Sequence, residues 1–217
     1  MGLFIVVGVG SFGFNVATEL TELGHEVLVI DSSGKKIEQI KDKVTQAVTA
    51  DVKNREALSK IVSNDVDAAI VSLGDSMEAS ALTVLYLKES GVKRIIVKAM
   101  NDDHGKLLES MGATEIIYPE KDMAIKTALK LNSPNILEYF PFTSGIIIQE
   151  IAPPKKFISK SLKELDLINK YGIQVIAIKE LVPEKVIFIP KADFIIKDSD
   201  ILIMIGEKEQ LAKINNK

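Results

Sequence analysis

Leu3-Phe4-Ile5-Val6-Val7-Gly8-Val9-Gly10-Ser11-Phe12-Gly13 decides how the rest of this chain reads. A nearly unbroken apolar run enters glycines spaced G-x-G-x-x-G, and Phe12, Val16, Leu20 and Leu23 recur behind them at helical spacing, so the pattern is strand, tight turn, helix. Gly8 permits the turn, Gly10 removes the Cβ that would hold a pyrophosphate off the backbone, and Gly13 lets the helix pack close to the strand. The first helical amides, around Ser11 and Phe12, have no intrahelical acceptor and point with the positive end of the helix dipole at any anion bound there, and Val9 belongs to the same loop. Gly24-His25 ends the helix and Val27-Leu28-Val29-Ile30 forms a second buried strand. Asp31 then stands roughly 20 residues past the glycines, where a carboxylate grips the ribose hydroxyls of a nucleotide.

Further along, Ser32 and Ser33 cap a helix carrying Ile37, Ile40 and Val44, and Gln46 to Ala50 is a third strand ending at Asp51. Asp51 either accepts from an adenine amino group while the Val52 amide donates to the ring, or caps the helix from Asn54 to Ile61; both can hold at once. Asp67 to Gly74 is a fourth strand and turn, with Ser72 at its end a further nucleotide contact. Asp75-Ser76 caps a helix with Met77, Ala81, Leu82, Val84, Leu85 and Tyr86, apolar on most of its circumference and so expected to pack on another subunit as well as the sheet. Arg94 to Ala99 is the fifth strand, with Lys98 either reaching a phosphate or merely solvated at the strand end. A short helix with Leu107, Leu108 and Met111 leads to a sixth strand, Glu115 to Tyr118. Six strands alternating with helices describe a doubly wound, parallel, Rossmann-like α/β sheet.

Pro119-Glu120-Lys121-Asp122 introduces a helix from Met123 to about Leu131. One stripe (Met123, Thr127, Ala128, Leu131) and a second apolar flank (Ile125, Leu129) suit a helix clasped between subunits. Asn132-Ser133-Pro134-Asn135 breaks the pattern, giving domains 1–134 and 135–217, and Tyr139-Phe140-Pro141-Phe142 reads as an aromatic hinge. From Ser144 the chain is a small α+β module: strands at Ile146 to Ile151, Val175 to Lys179, Val186 to Ile189 and Ile201 to Ile205, a short helix or turn at Leu162, Leu165 and Leu167, and a final helix.

The totals narrow the function. The chain has 217 residues, 47% hydrophobic, with no cysteine and a formal charge of -3, so disulfides are excluded and broad attraction to nucleic acid or anionic lipid is not expected. Its apolar runs are too short for membrane insertion, and Met1-Gly2-Leu3 opens directly into a strand with no signal peptide before it. An oxidoreductase would need an acid-base group beside the cradle. His25 sits at the wrong end of the sheet, and His104 reads as a surface or capping residue rather than a general base. No Ser-His-Asp, Cys-His, H-E-x-x-H or Walker motif is present, and a nucleotide cradle without catalytic residues points to sensing.

The glycine motif with Asp31, the run Ile117-Tyr118-Pro119-Glu120-Lys121-Asp122-Met123, and Lys170-Tyr171-Gly172 followed by Val175 to Lys179 and Asp200-Ile201-Leu202 together resemble the RCK regulatory subunits of Ktr and Trk potassium transporters, most similar to the KtrA/KtrC type. The resemblance covers essentially the whole chain. It implies a cytoplasmic protein, peripheral at the inner face of the membrane, that dimerises through the helix after the sixth strand and forms an octameric ring under a membrane-embedded potassium transporter subunit. It implies ATP/ADP, or NAD(H), in the glycine cradle. Glu120 would then lie near a terminal phosphate in the neighbouring subunit, with a divalent or monovalent cation bridging the two; on the residues alone Glu120 is a first-turn acid favoured by the dipole. Ser11 stands where many relatives carry a phosphate-pairing arginine and supplies no charge. In the second module Ile168 stands where some relatives carry an arginine for cyclic di-AMP. Leu167, Gln174, Val175 and Pro190 either line such an effector pocket or form a hydrophobic dimer seam. The alternative function is a small NAD-dependent oxidoreductase, with Asp31 selecting NAD over NADP.

Overall fold

A computed structural model describes residues 1–63, 65–74, 76–143 and 145–215, and the chain divides into two compact units, Met1–Lys121 and Asp122–Lys217. The expected cap at Asp75 and the start of the second module at Ser144 lie outside the described residues.

The first unit alternates β1 (Leu3–Val7), α1 (Ser11–Glu22), β2 (Glu26–Asp31), α2 (Gly34–Ile40), β3 (Gln46–Thr49), α3 (Arg55–Ile61), β4 (Ala68–Val71), α4 (Met77–Glu89), β5 (Ile95–Lys98), α5 (Asp102–Met111) and β6 (Glu115–Ile117). Every pairing is parallel and the strand order is β3-β2-β1-β4-β5-β6. A parallel sheet must be covered on both faces, and the alternation of side chains along each strand serves two cores. Ile5, Val7, Leu28, Ile30, Ala69 and Val71 pack with Leu58 of α3, Val84 and Leu87 of α4 and Leu108 of α5. Val6, Val27, Val29 and Ile70 pack on the other side with Ala17 of α1 and Ile37 and Ile40 of α2. The winding reverses at β1, whose neighbours are β2 and β4, so the loop after β1 opens onto the crevice where such sheets bind ligands.

Four local expectations change. Leu23 is 65% exposed at the C-cap of α1, and the buried members of that helix are Gly13 and Ala17, because small residues let it lie close on the sheet. Asn54, not Asp51, caps α3, its side chain accepting from the Ala57 amide at 3.1 Å. His104 is fully buried rather than at the surface, and the cap of α5 is Asn101, which accepts from the His104 amide at 2.9 Å. The helix after β6, α6 (Pro119–Asn132), begins at Pro119 rather than Met123, since proline lacks only an amide that the first helical position leaves unpaired anyway.

In the second unit, β7 (Ile136–Thr143), β8 (Ile146–Ile151), β9 (Gln174–Leu181), β10 (Glu184–Phe188) and β11 (Asp200–Glu207) form an antiparallel sheet in the order β10-β9-β11-β8-β7. Between β8 and β9 run α7 (Leu162–Leu165) and α8 (Leu167–Tyr171), and α9 (Lys208–Asn215) follows β11. The core gathers Ile147, Ile151, Val175, Leu202 and Met204 from alternate strand positions under Leu165, Leu167, Leu211 and Ile214. The aromatic run Tyr139 to Phe142 is part of β7 rather than a hinge. β7 lies at the sheet edge, where Pro141 costs little for want of an amide, and the register shifts beside it. The last turns of α6 are tied to β7 by Lys130, which donates to Glu138 at 3.1 Å, and by Lys126, which pairs with the same carboxylate.

Candidate functional site

Each glycine of the opening motif has its own physical reason. Gly8 has φ +94, and a Cβ there would lie 2.2 Å from the carbonyl oxygen of Ser72, so both its conformation and its contact with the end of β4 require glycine. A Cβ on Gly13 would lie 2.0 Å from the carbonyl oxygen of Gly8, which places α1 directly against the loop. Gly10 is different. Its φ is -81 and a Cβ would meet nothing within 4 Å, so the space beside it is open to a ligand. Gly10 caps α1 without a side-chain hydrogen bond, and the first turn carries no acid, so the helix start with Ser11 and Phe12 keeps its amides and dipole for an anion.

Asp31, at the end of β2 and 6% exposed, is the hub of the loop. Its Oδ2 accepts from the Val9 amide at 2.7 Å and its Oδ1 from the Ser33 amide at 2.8 Å, while Lys36 Nζ stands 3.4 Å from Oδ2. The carboxylate therefore ties the loop after β1 to the loop after β2. Asp51 Oδ1 accepts from the Lys53 amide at 3.0 Å in the turn leading to α3, and Val52 beside it is buried.

These residues enclose a cavity of about 310 Å³ lined by Gly8, Gly10, Asp31, Asp51, Val52 and Ser72, together with Ser32, Lys36, Lys53, Leu73, Gly74, Ser76 and Ala79. Val9, Ser11, Phe12 and Gly13 are not among the lining residues; Val9 is tied to the lining through Asp31 and Gly13 through its packing on Gly8. Sequence reasoning missed the two lysines. Lys36 follows Asp31 into the first turns of α2 and Lys53 directly follows Asp51-Val52, so proximity to the two strand-end acids was the available signal.

Lys98 and Glu120 do not join this lining. Lys98, at the end of β5, forms an ion pair with Glu120 in the first turn of α6, and the ammonium's hydrogen bond holds the Glu120 carboxyl below the usual carboxylate range. The two residues each read as a phosphate or cation contact are thus one another's partner. Among the described residues no group of three or more His, Asp or Glu side chains gathers in a way that could hold a metal ion.

Neither histidine offers acid-base chemistry at the cavity. His25 Nδ1 accepts from the Gly2 amide at 3.1 Å, at the opposite end of the sheet from the glycine loop. His104 Nδ1 accepts from the Met100 amide at 3.3 Å, its Nε2 is buried without a partner, and burial pushes its pKa down. The folded-state pKa is therefore lower than that of the unfolded chain, about 6.5, so the unfolded chain binds the proton more readily. Stability is full above about pH 6.5 and is lost as the pH falls below it. The denaturant midpoint of the wild-type protein is expected to drop between pH 7.5 and 5.5 and that of His104→Gln to drop less; equal slopes would rule out this assignment.

The second unit holds another cavity, of about 360 Å³, lined by Leu162, Lys163, Asp166, Leu167, Ile168, Asn169, Ile173, Gln174, Val175, Pro190 and Ala192. All four candidate effector residues meet there, and Ile168 stands at the wall 58% exposed. Ile189, just before Pro190, has φ +49, a left-handed conformation that a β-branched residue adopts at a cost on the order of 1–3 kcal/mol.

Comparisons with known proteins agree with this architecture. The model of the TrkA-N domain family matches residues 4–119, and that of the TrkA-C domain matches residues 147–217. Ktr system potassium uptake protein A of Bacillus subtilis is 36% identical over 98% of this chain and 95% of its own. Its namesake from Vibrio alginolyticus is 32% identical over 96% of this chain and 94% of its own. Among solved structures, the GsuK RCK domain superposes with a TM-score of 0.66 at 17% identity, covering 100% of this chain and 48% of that one. A GsuK channel bound to NAD gives 0.66 at 16% identity, covering 98% and 38%. At those identities the structural likeness speaks to the fold. No helix among the described residues is long and apolar enough to cross a membrane.

Proposed function

We propose, proceeding from the fact that this chain belongs to the TrkA-N domain family and, within it, to the Ktr system potassium uptake proteins, that it is a nucleotide-sensing cytoplasmic regulatory subunit gating a membrane-embedded potassium transporter. The observation that carries this reading is the glycine cradle. An uncapped helix start, an open approach at Gly10 and a loop pinned by Asp31 face one cavity with Asp51, Val52 and Ser72. Such a site suits an adenosine phosphate: backbone amides and the dipole take the phosphates, and the strand-end groups take ribose and adenine.

The reading includes ATP/ADP as the exchanged ligands, with NAD(H) as the variant, NAD being what the GsuK channel holds. Because Ser11 supplies no charge, the cations near the phosphates are Lys36 and Lys53, both lining the cavity. A cation at Glu120 would first have to replace Lys98 as that carboxylate's partner, and would draw its other ligands from a nucleotide or a neighbouring chain. The exposed Met123, Ile125 and Leu131 of α6 fit a helix that pairs with a second copy in a dimer and then an octameric ring. The cavity of the second unit is the place for cyclic di-AMP. An oxidoreductase is less well supported, since both histidines are engaged or buried away from catalysis.

The test titrates ATP, ADP, NADH and cyclic di-AMP against purified protein by calorimetry while native mass spectrometry records its assembly. Binding of an adenine nucleotide without turnover, with occupancy changing the assembly or its shape, is the expected result. A monomer that binds none of the four would end the proposal.

A further inference from the structure

Two lysines reach the cavity beside the glycine loop, and they are matched differently. Lys36 pairs with Asp31, and both line the cavity. Lys53 leaves the chain next to Asp51 and Val52, but its ammonium donates at 2.9 Å to Glu78 Oε2, in the first turn of α4. Ser76, the cap of α4, and Ala79, directly after Glu78, line the cavity too. Gly8 packs against Ser72, so the residue that follows β4 lies beside the glycine loop. The Lys53 side chain thus runs from beside the strand-end acid, along the cavity, to the first turn of α4, where a carboxylate holds its charge.

We infer that Lys53 is the cation an anionic nucleotide recruits on entering this cavity, and that Glu78 is a resident competitor which the ligand's phosphates displace. The inference rests on the nucleotide reading of the cavity given above. Its physical basis is the weakness of the existing pair. The side chains of Lys53 and Glu78 are 45% and 70% exposed, and an exposed pair of this kind contributes roughly 0–1 kcal/mol because hydration and side-chain entropy offset the attraction. A phosphate in a concave site brings more negative charge and more acceptor oxygens to the same ammonium than one solvated carboxylate does. Glu78 raises the Lys53 pKa above its ordinary value, so the ammonium stays charged throughout the neutral range.

The two halves of one ion pair then have opposite effects, which a merely structural pair would not produce. A bond that only fastened the turn after β3 to α4 would weaken ligand binding equally whichever partner was removed. Competition predicts that Glu78→Gln frees the lysine and tightens binding, that Lys53→Met weakens it, and that the double variant behaves like Lys53→Met. The change should be larger for ATP than for ADP.

Calorimetric titration of ATP, ADP and NADH into the wild-type protein and the three variants, at one fixed ionic strength, tests this. Glu78→Gln is expected to lower Kd about two- to fivefold and Lys53→Met to raise it by about the same factor. Both residues are exposed, so all three variants should keep the wild-type circular dichroism and melting profile. Shifts in the same direction for the two single variants, or wild-type Kd in both, would overturn the inference alone. A wild-type protein that binds none of the three ligands would overturn the nucleotide reading and this inference with it.

Discussion

Gly13→Ala is expected to destabilise the first unit by on the order of 3 kcal/mol and to abolish measurable nucleotide binding, whereas Gly10→Ala should fold like the wild type and lose only binding. The two glycines belong to one motif, but the structure gives them opposite surroundings. At position 13 an added methyl carbon would sit 2.0 Å from a backbone carbonyl oxygen, that of Gly8, and a backbone cannot rotate out of the way as a side chain can. The only relief is to push α1 off the sheet. That motion would strip Ala17 and its neighbours from the core they share with Val6, Val27 and Val29 and would open the glycine loop that lines the cavity. At position 10 the same carbon meets nothing within 4 Å, and the φ of -81 suits alanine. Its effect is confined to the approach of a ligand, and a loss of affinity of at least tenfold is the expected outcome. Urea unfolding and calorimetric titration of ATP, ADP and NADH on the same preparations separate the two quantities. A Gly10→Ala protein with undiminished affinity would show that no ligand group comes close to that backbone.

Much of this site is legible in the sequence because its determinants are local. The spacing of Gly8, Gly10 and Gly13, the apolar run before them and Asp31 at the next strand end each follow from a rule that operates within one strand-turn-helix unit. The short apolar runs bounded by turn residues are likewise a local signal, and the parallel sheet follows from counting such strand-turn-helix units. What escapes depends on neighbours distant in sequence. His104 resembles a surface residue at a helix start, and only the packing of α5 beside α4 over the sheet shows it buried. The run Tyr139 to Phe142 contains a proline that argues against a strand, and edge position, a property of the whole sheet, removes the objection.

The site residues divide along the same line. Gly8, Asp31, Asp51 and Ser72 converge because strand ends in a parallel sheet must converge. Lys98 and Glu120 each point to a ligand on sequence grounds, and the fold brings them to each other, since the end of β5 and the start of α6 meet beyond the edge of the cavity. Lys36 and Lys53 escape notice because a lysine after a strand-end acid is an ordinary feature of a solvated turn. Only the shape of the enclosed space distinguishes them from the other lysines of the chain.

Replacing Asp31 by alanine should reduce both stability and nucleotide affinity, the first by about 2–4 kcal/mol and the second at least tenfold. The usual account of a strand-end acid assigns it to the ribose, which would make its loss a matter of binding alone. Here both oxygens are already committed: Oδ2 to the Val9 amide at 2.7 Å and Oδ1 to the Ser33 amide at 2.8 Å. Alanine would leave the Val9 amide as a buried donor with no acceptor, which is the costly case, while the half-buried Ser33 amide can turn to water. Lys36 would lose a partner 3.4 Å away, but its side chain is 47% exposed and that loss is small. The carboxylate therefore acts first as a positioning group that fixes the glycine loop before any ligand arrives, and any bond to a ribose hydroxyl uses acceptor capacity left over. Asparagine at the same position separates the two roles. It keeps one acceptor for the Val9 amide but turns its own amide toward a second donor, so about half of the stability should return while the affinity remains low. Urea midpoints and calorimetric Kd values for Asp31→Ala, Asp31→Asn and Lys36→Met decide the matter. An Asp31→Ala protein as stable as the wild type would show that the loop stands without its carboxylate, and the positioning role assigned to Asp31 would have to be given up.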